Sequence, residues 1–470
     1  MTSKRSWRAY PATYRDTEIT ILADWVRAGE SGSLIGLPGS GKSNLFGFLS
    51  RQPDAIRRAL AGSDLELIPV YVDLNNLPDN ELATFYRVIL RALYEANPHL
   101  ADVDNALAGS IEALYQKVED KTDPFLTQSA LREILLRFES GDICLLLMLD
   151  PFDQFCRTAP AKILDNLRGL RDSFKTTLCY LVGLRYELAY LRAPQELGEL
   201  YELLDMHMAW LGPMGPTDAQ WVINQCEEAT AHTFSEAEKA RLIELTGGYP
   251  AWLRTAGMWL AMTPAPPQPE AWLEALLAEP GLRNRLNEVW LALTGEERLA
   301  LLTLLNQHPP LANPPGQGTD DSPVLAHLQQ KHICRPHPAT GRPEIFSPLF
   351  AAYIHHFETN DRGKIWLRST DDVILSGSDS LETELTAQDR KLLLFFLENP
   401  QKILSKDDIA MALWPEEEIA GTERGVEDAR LQKAVSQLRG VLEKEDTARY
   451  IHTVRGMGYR FFPEGAPPGS

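Results

Sequence analysis

Cysteine is scarce in this chain of 470 residues, which contains five. None of the five forms a C-x-x-C pair, and their spacing matches no metal-ligand pattern. A disulfide framework and a cysteine-ligated zinc site are therefore excluded as interpretations. Since three of the cysteines lie within apolar runs, we interpret them as reduced core thiols and expect a cytoplasmic protein.

Long apolar stretches are also lacking. The longest run falls far short of the ~20 residues that a membrane-spanning helix needs. The first residues are polar and basic, with no apolar run behind them, so we expect no signal peptide. Both absences favour a cytoplasmic location without a membrane partner.

Positively charged residues are in the minority: the chain has 46 Lys and Arg residues against 65 Asp and Glu residues, which gives a net charge of −19. This balance excludes a chain that coats nucleic acid non-specifically. Any contact with DNA must come from a locally basic face. Apolar residues are plentiful at 44%, and the length leaves room for about three domains of ~150 residues each.

Residues 36–43 read Gly-Leu-Pro-Gly-Ser-Gly-Lys-Ser and fit the phosphate-binding pattern G-x-x-x-x-G-K-S in full. The motif follows a short apolar strand that ends at Ile35 and opens a helix over 42–49, which is the context that it requires. The glycines let backbone N–H groups converge on phosphate, and the new helix adds its positive end. Lys42 is expected to neutralise the β- and γ-phosphates, and the Ser43 hydroxyl to coordinate Mg²⁺. The alternative is a glycine-rich turn that merely precedes Lys-Ser.

A second acidic site follows the unbroken apolar run at 143–149, which is typical of a strand buried in a parallel sheet. Asp150 ends this run, and in nucleotide-binding folds of this kind such a residue holds the Mg²⁺ water shell. The predicted metal residues are therefore Ser43 and Asp150. Asp153 is the nearby carboxylate that can orient or activate water, and its alternative role is to cap the helix that follows.

The N-terminal part resembles the NTPase domain of the STAND class, the signal-transduction ATPases with numerous domains, which are related to AAA+ and origin-recognition ATPases. The phosphate loop and the Asp150 strand carry this resemblance. In addition, Tyr14-Arg15 with Glu18 is similar to the GR-x-x-E box of these proteins, and Asp150-Pro-Phe-Asp153 to their NACHT-type pattern.

The resemblance implies ATP or ADP with Mg²⁺ as cofactors. It also implies a sensor arginine at Arg185, a turn at Pro213 that packs on adenine, and a GGxP turn at 246–250. Gln154 stands where that branch often has Glu, so we expect hydrolysis to be slow if it occurs at all. The predicted catalytic residues are Asp153 and Arg185. The predicted nucleotide-binding residues are Gly36, Pro38, Gly39, Ser40, Gly41, Lys42, Ser43, Asn44 and Pro213.

The last hundred residues resemble the OmpR/PhoB-type winged helix-turn-helix. Ser405 opens a capping-box pattern, the segment 425–443 has helical periodicity with one apolar face, and 450–460 matches the closing hairpin of that family. The resemblance implies contact with double-stranded DNA. The predicted DNA-binding residues are Arg430, Lys433, Ser436, Gln437, Arg455 and Arg460. Because Gln437 replaces a usual Arg and the module is mildly acidic, a protein-docking role is the alternative.

The predicted fold is an α/β P-loop NTPase of the ASCE type with a parallel sheet, followed by helical and winged-helix domains and a C-terminal winged helix-turn-helix. The predicted boundaries are 1–212 for the NTPase, 213–290 for the helical domain, 291–358 for a winged-helix-like domain, 363–463 for the OmpR-type module and 464–470 for a disordered tail. The whole predicts an ATP-dependent switch that regulates transcription, with a protein sensor or effector in trans and nucleotide-dependent homo-oligomers as further partners. The alternatives are a DNA-remodelling or mobile-element ATPase related to origin recognition, and a conflict-system NTPase whose last domain docks an effector.

Overall fold

The chain divides into two compact units, Met1–Glu297 with Leu311–Ala352 and Arg298–Pro310 with Tyr353–Ser470. The finer domain boundaries given above remain predictions. The computed structural model describes residues 10–63, 65–306, 322–360, 365–368, 373–376, 379–414, 424–443, 450–454 and 457–463. In these ranges no helix is long and apolar enough to cross a membrane.

A five-stranded parallel sheet forms the centre of the first unit, which confirms the predicted fold class. Its strands are β1 (Gly32–Ile35), β2 (Glu66–Asp73), β3 (Ile143–Asp150), β4 (Leu178–Leu184) and β5 (Met208–Trp210). They lie side by side in the order β2-β3-β4-β1-β5. Strand β4 thus separates the strand before the phosphate loop from the strand that ends in Asp150. All eight residues of β3 are buried, as its unbroken apolar run predicts.

In the described part of the chain, twelve α-helices flank or connect these strands. They are α1 (Asp16–Arg27), α2 (Lys42–Arg51), α3 (Asp54–Ala59), α4 (Leu82–Glu95), α5 (Asn97–Val103), α6 (Asn105–Val118), α7 (Pro124–Ser140), α8 (Phe152–Thr158), α9 (Ala161–Ser173), α10 (Leu188–Leu191), α11 (Pro194–Leu197) and α12 (Glu199–Asp205). Their apolar faces join the sheet in one continuous core. Burial of this core is the main force that holds the site-bearing ends of the strands together.

A helical segment follows the sheet, with α13 (Pro216–Thr230), α14 (Glu236–Thr246), α15 (Pro250–Met262), α16 (Trp272–Ala278), α17 (Pro280–Leu291) and α18 (Gly295–Asn306). Next come α19 (Pro323–Gln330), the hairpin β6 (Cys334–Pro336) with β7 (Pro343–Ile345), and α20 (Pro348–Asn360). Aromatic rings join the two groups, since Trp252 lies 5.6 Å from Phe346 and 5.2 Å from Phe350.

Four ionisable side chains form a network in this unit, in which Glu297 and Lys331 are buried and His327 and Glu187 are half-buried. Glu297 is 2% exposed and lies 2.6 Å from the Lys331 ammonium and 3.0 Å from the His327 ring. The other nitrogen of His327 lies 2.6 Å from Glu187, a residue shortly after β4. Lys331 also sits 5.2 Å from the centre of the Trp210 ring, at the end of β5. The network therefore fastens α19 to the ends of two strands of the sheet.

The second unit holds the small C-terminal module. Its strands are β8 (Ile365–Arg368), β9 (Val373–Ser376), β10 (Asp379–Ser380), β11 (Ile403–Leu404), β12 (Ile451–Val454) and β13 (Gly458–Phe461), and its helices are α21 (Ala387–Glu398), α22 (Lys406–Leu413) and α23 (Arg424–Leu442). Strands β8–β10 and β11–β13 form two three-stranded sheets. Capping boxes at Thr386 and Ser405 open α21 and α22, and the second of these was predicted from the sequence.

We expect Lys331→Met to destabilise the first unit by about 3 kcal/mol, because it removes the cation from the buried Glu297 carboxylate and leaves it with the His327 ring and the Thr294 N–H as partners. The measurement is the midpoint of thermal unfolding. Arg335→Met is the matched control, since the Arg335–Glu344 pair is exposed and such pairs contribute about 0–1 kcal/mol. Equal shifts in the two variants would show that the buried network does not stabilise the unit.

Candidate functional site

Three carbonyl groups of the phosphate loop accept hydrogen bonds from residues outside the loop. The Arg15 guanidinium donates to the Ser40 carbonyl at 3.0 Å, and the Tyr249 hydroxyl to the Pro38 carbonyl at 2.8 Å. The Ala251 N–H donates to the Gly39 carbonyl at 3.3 Å. Gly39 and Gly41 have φ of 83° and 100°, a left-handed backbone that the curled loop needs and that favours glycine.

The N–H groups on the other side of the loop are left without partners. Among the described residues, those of Gly39, Gly41, Lys42 and Ser43 donate to no backbone or side-chain acceptor. The Ser40 hydroxyl is buried and also makes no hydrogen bond in this part of the chain. Because buried polar groups rarely lack partners, this set of donors fits an anion that the loop would enclose.

Lys42 lies inside this cradle. Its side chain is 9% exposed, and its ammonium donates to the Gly36 carbonyl at the start of the loop. Burial lowers the pKa of Lys42 to about 8, although the carboxylates of Asp150 and Asp153 act in the opposite direction. The lysine is therefore a buried cation that an incoming anion would stabilise.

Ser43 and Asp150 meet as the sequence predicts, with the hydroxyl donating to the carboxylate at 2.5 Å. Burial raises the pKa of Asp150, against the effects of the Ser43 hydrogen bond and the Lys42 charge. The contact has to pass over β4, which lies between β3, the strand that ends in Asp150, and β1, the strand that precedes the phosphate loop and Ser43. Gly183 makes this reach feasible, because a Cβ atom at that position would overlap the Asp150 carboxylate. An isolated glycine within an apolar strand is the sequence signal for such a close approach.

Two neighbours of this pair were missed by the sequence analysis. Asp73 ends β2 directly beside Asp150, and its charge raises the pKa of Asp150 further. The Tyr71 side chain interacts with both Ser43 and Asp150, and burial together with the charges of Asp150 and Asp73 raises its pKa. A hydroxyl and several carboxylate oxygens are ligands that Mg²⁺ accepts, so Ser43, Asp150 and Asp73 could hold this ion or its water shell.

Asp153 has a role that neither interpretation of the sequence anticipated. It does not cap its own helix α8, but accepts the backbone N–H groups of Arg185 at 2.8 Å and Tyr186 at 3.4 Å. Its second carboxylate oxygen is buried and makes no hydrogen bond within the described residues. Asp153 thus fixes the end of β4, while one oxygen remains able to accept a proton or a water hydrogen bond. The exposed Arg185 side chain lies close enough to Lys42 for its charge to lower the lysine pKa.

Arg15 joins the loop to the rest of the unit. Its side chain is 2% exposed, and besides Ser40 it donates to the carbonyls of Gly212 at 2.9 Å and Pro213 at 3.0 Å. Its backbone N–H donates to the Asp218 carboxylate at 2.9 Å. The predicted Pro213 turn is therefore tied to the predicted phosphate loop by one guanidinium. Asn44, the last predicted nucleotide-binding residue, is half-buried in the first turn of α2.

The candidate nucleic-acid interface is one face of α23. Leu431, Val435 and Leu438 are buried in the core of the C-terminal module, while Lys433, Ser436 and Gln437 are exposed together. Arg439, near the end of this helix, connects it to β12. Its guanidinium donates to the Ile451 carbonyl at 2.6 Å and to the Thr453 hydroxyl at 3.0 Å. The three exposed residues carry donors and acceptors suited to base edges and phosphates.

The remaining predicted DNA-binding residues have different surroundings. The guanidinium of Arg430 lies 4.1 Å from the centre of the Trp414 ring. Arg460 is half-buried on β13, opposite His452 on β12. Arg455 lies outside the described residues. Gly458 packs against Leu404, where a Cβ atom would overlap the Leu404 carbonyl, so a glycine is required in this hairpin.

Comparisons with known proteins bear on the C-terminal module. Residues 380–461 match the family model described as "Transcriptional regulatory protein, C terminal". The phosphate regulon transcriptional regulatory protein PhoB of Escherichia coli is 34% identical over 88 residues, which are 19% of this chain and 35% of that protein. The regulator YvrH of Bacillus subtilis is 35% identical over 79 residues, 17% of this chain and 31% of that protein. The chain spans about a third of the length of these relatives, and its C-terminal module is a winged helix of the OmpR/PhoB type.

Solved structures similar to the longer N-terminal part share little sequence with it. The Walker-type ATPase PABY2304 of Pyrococcus abyssi is 14% identical, with a TM-score of 0.41, and the similarity covers 74% of this chain and 98% of that one. The ADP form of the Aeropyrum pernix ORC2 protein is 14% identical with a TM-score of 0.37, covering 73% of this chain and 93% of that one. The strand order β2-β3-β4-β1-β5 and the phosphate loop between β1 and α2 give this chain a P-loop ATPase-like fold.

We expect Arg15→Lys to loosen the phosphate loop and the Gly212 turn together, because an ammonium cannot reproduce the planar fork that spans three carbonyls. Hydrogen–deuterium exchange should rise in residues 36–43 and 211–218, and the unit should lose about 2–3 kcal/mol of stability. Arg27→Lys, at an exposed pair with Asp24, is the control. Unchanged exchange at both segments in the Arg15 variant would contradict the clamp.

Proposed function

We propose that this protein is a nucleotide-dependent switch of the STAND type that binds ATP or ADP with Mg²⁺ and regulates transcription through its C-terminal winged helix. The observation that carries the first half is the asymmetry of the phosphate loop: three of its carbonyl groups accept hydrogen bonds from outside, whereas four of its N–H groups have no partner among the described residues. The second half rests on the exposed polar face of α23 in a module similar to the C-terminal part of transcriptional regulators.

The residues of the loop fit a nucleoside triphosphate. The unpaired N–H groups and Lys42 would hold phosphate oxygens, and Ser43 with Asp150 would hold Mg²⁺, which supplies charge neutralisation when bound. Arg185 lies close to Lys42 and would sense the terminal phosphate. Pro213 is tied to the loop through Arg15 and would border the base.

Hydrolysis in this proposal is slow. Asp153 is the carboxylate placed to accept a proton from water, but one of its oxygens is already committed to two backbone N–H groups. The adjacent Gln154 carries no charge and is exposed. Since phosphoryl transfer depends mainly on positioning of the attacking water, a partly committed base favours a long-lived bound state over rapid turnover. A long-lived state is what a switch requires.

For the C-terminal module we infer binding to double-stranded DNA, with α23 in the major groove. Gln437 can pair with both polar edges of adenine, and Ser436 can accept from or donate to either base class. Lys433 adds positive charge beside them. Because the module has more acidic than basic residues, we infer that nucleotide-dependent self-association brings two such modules together to reach useful affinity.

We expect Mg-ATP to raise the midpoint of thermal unfolding, since a ligand at 100 times its Kd adds about 2.7 kcal/mol to stability. Lys42→Ala should abolish this increase, whereas Lys162→Ala, at an exposed position on α9, should not. Persistence of the full increase in the Lys42 variant would refute nucleotide binding at the loop.

The pKa of Lys42 also predicts how ATP affinity depends on pH. In the free protein Lys42 loses its proton as pH rises through about 8, and an anion prefers the protonated form. The contribution of Lys42 to ATP affinity should therefore be constant below pH 8, and above pH 8 the affinity should fall by up to about tenfold per pH unit. In Lys42→Arg the fall should vanish, because guanidinium stays charged.

We expect Gln437→Ala to relax base preference at one or two positions by about 1–3 kcal/mol, measured by selection from a random duplex pool at fixed salt. Gln388→Ala makes the same chemical change on an exposed part of α21 and should leave the preference intact. If no duplex is enriched at low salt with ATP present, the module does not read DNA and the protein-docking alternative replaces this proposal.

A further inference from the structure

A cavity of about 290 Å³ is lined in part by Tyr71 and Asp73. These residues adjoin Ser43 and Asp150, the pair proposed to hold Mg²⁺, which we call the metal seat. The walls of the cavity come from α2, the end of β2, α4 and α5. Small side chains keep it open, because Ala92 and Ala96 follow Val88 at intervals of four residues and so form one stripe along α4. The volume is close to the lower end of what small-molecule sites occupy, roughly 300 Å³.

The charges on the walls are unequally compensated. Arg91 is paired with Glu95 at 2.9 Å. The Asp73 carboxylate accepts the backbone and side-chain N–H groups of Asn75 at 3.0 and 2.9 Å. By contrast, neither the Arg51 guanidinium nor the His99 ring makes a hydrogen bond or ion pair within the described chain. The cavity therefore offers unused donors at Arg51 and His99 next to an apolar stripe.

The cavity also touches the metal seat through shared residues. Tyr71 lines it and interacts with Ser43 and Asp150, while Asp73 lines it and stands beside Asp150 in the sheet. A molecule in the cavity would therefore border Asp73 and would be separated from Ser43 and Asp150 by the Tyr71 side chain. Any effect of its binding on the metal seat rests on the proposed function, whereas the binding itself does not.

We propose that this cavity is a second ligand site, which takes a small anionic metabolite with a carboxylate or phosphate group and a short apolar body. The anion pairs with Arg51 and His99, and the apolar body lies on Val88, Ala92 and Ala96. The bound molecule contacts Tyr71, whose side chain interacts with Ser43 and Asp150, and so reports its presence to these two residues. The site gives the switch a small-molecule input within its own NTPase unit.

The test titrates phenyl phosphate and benzoate, in separate calorimetric experiments, into the full chain carrying Lys42→Ala. This background removes the cation of the phosphate loop, so the result does not depend on nucleotide binding. The two probes share an apolar ring and distinguish a phosphate ligand from a carboxylate ligand. At least one probe should bind at a single site per chain.

Three further variants in that background locate the site. Arg51→Ala removes an exposed cation and should weaken binding at least about tenfold. Ala92→Leu fills the cavity without changing any charge and should abolish binding. Arg137→Ala, at an exposed arginine on α7 away from the cavity lining, should have no effect. Thermal unfolding of each chain checks that it folds.

Failure of both probes to bind overturns the proposal. So does binding that survives unchanged in either Arg51→Ala or Ala92→Leu, or that is lost equally in Arg137→Ala. In the native chain, a probe that binds the cavity should also shift the Mg-ATP affinity, and ATP should shift the probe affinity by the same factor. Cavity binding without this mutual shift overturns the input role of the site, even if nucleotide binds normally.

Discussion

The geometry of the candidate nucleotide site depends on one buried guanidinium. Arg15 is held by Glu18 and connects the phosphate loop to the Gly212–Pro213 turn through three backbone carbonyls. A cation in this position turns the Ser40 carbonyl outward, as Tyr249 and Ala251 do for the carbonyls of Pro38 and Gly39. The opposite N–H groups of the loop therefore face the space where an anion fits. Burial makes each of these hydrogen bonds strong and the loss of any one costly. The loop is thus shaped by its outer contacts before any ligand arrives.

Inside the loop, burial acts on both signs of charge. Burial lowers the pKa of Lys42 and raises the pKa of Asp150, so an opposite charge would stabilise the charged form of each group. Ser43 and Tyr71 share the Asp150 carboxylate, and Gly183 leaves room for it above β4. A cation and a polyanion that arrive together would satisfy both sets of groups at once. This complementarity is the physical basis for preferring a metal-bound nucleotide to a lone phosphate.

Much of this arrangement could be predicted from local sequence. The phosphate loop, the Asp150 strand and the amphipathic α23 follow from motif spacing and hydrophobic periodicity, which depend on neighbouring residues. Helices α5 and α6, which meet at Asp104, were not predicted, although the buried residues Leu107, Ile111, Leu114 and Val118 of α6 recur at helical spacing. The contact of Asp153 with the Arg185 backbone and the clearance at Gly183 depend on which strands are neighbours. Strand order is set by tertiary packing, so no local pattern could indicate them.

The span of the Arg15 contacts has a consequence for biogenesis. Its backbone bonds a residue 203 positions later, and Tyr249 closes the loop from 211 positions beyond Pro38. During synthesis, residues 36–43 are therefore made well before Tyr249, which fixes the outer side of the phosphate loop. Closure of such distant contacts carries a loop-entropy cost and delays their formation. The contacts of Arg15 with Asp218 and of Pro38 with Tyr249 therefore form only after the helical segment that follows the sheet has been made.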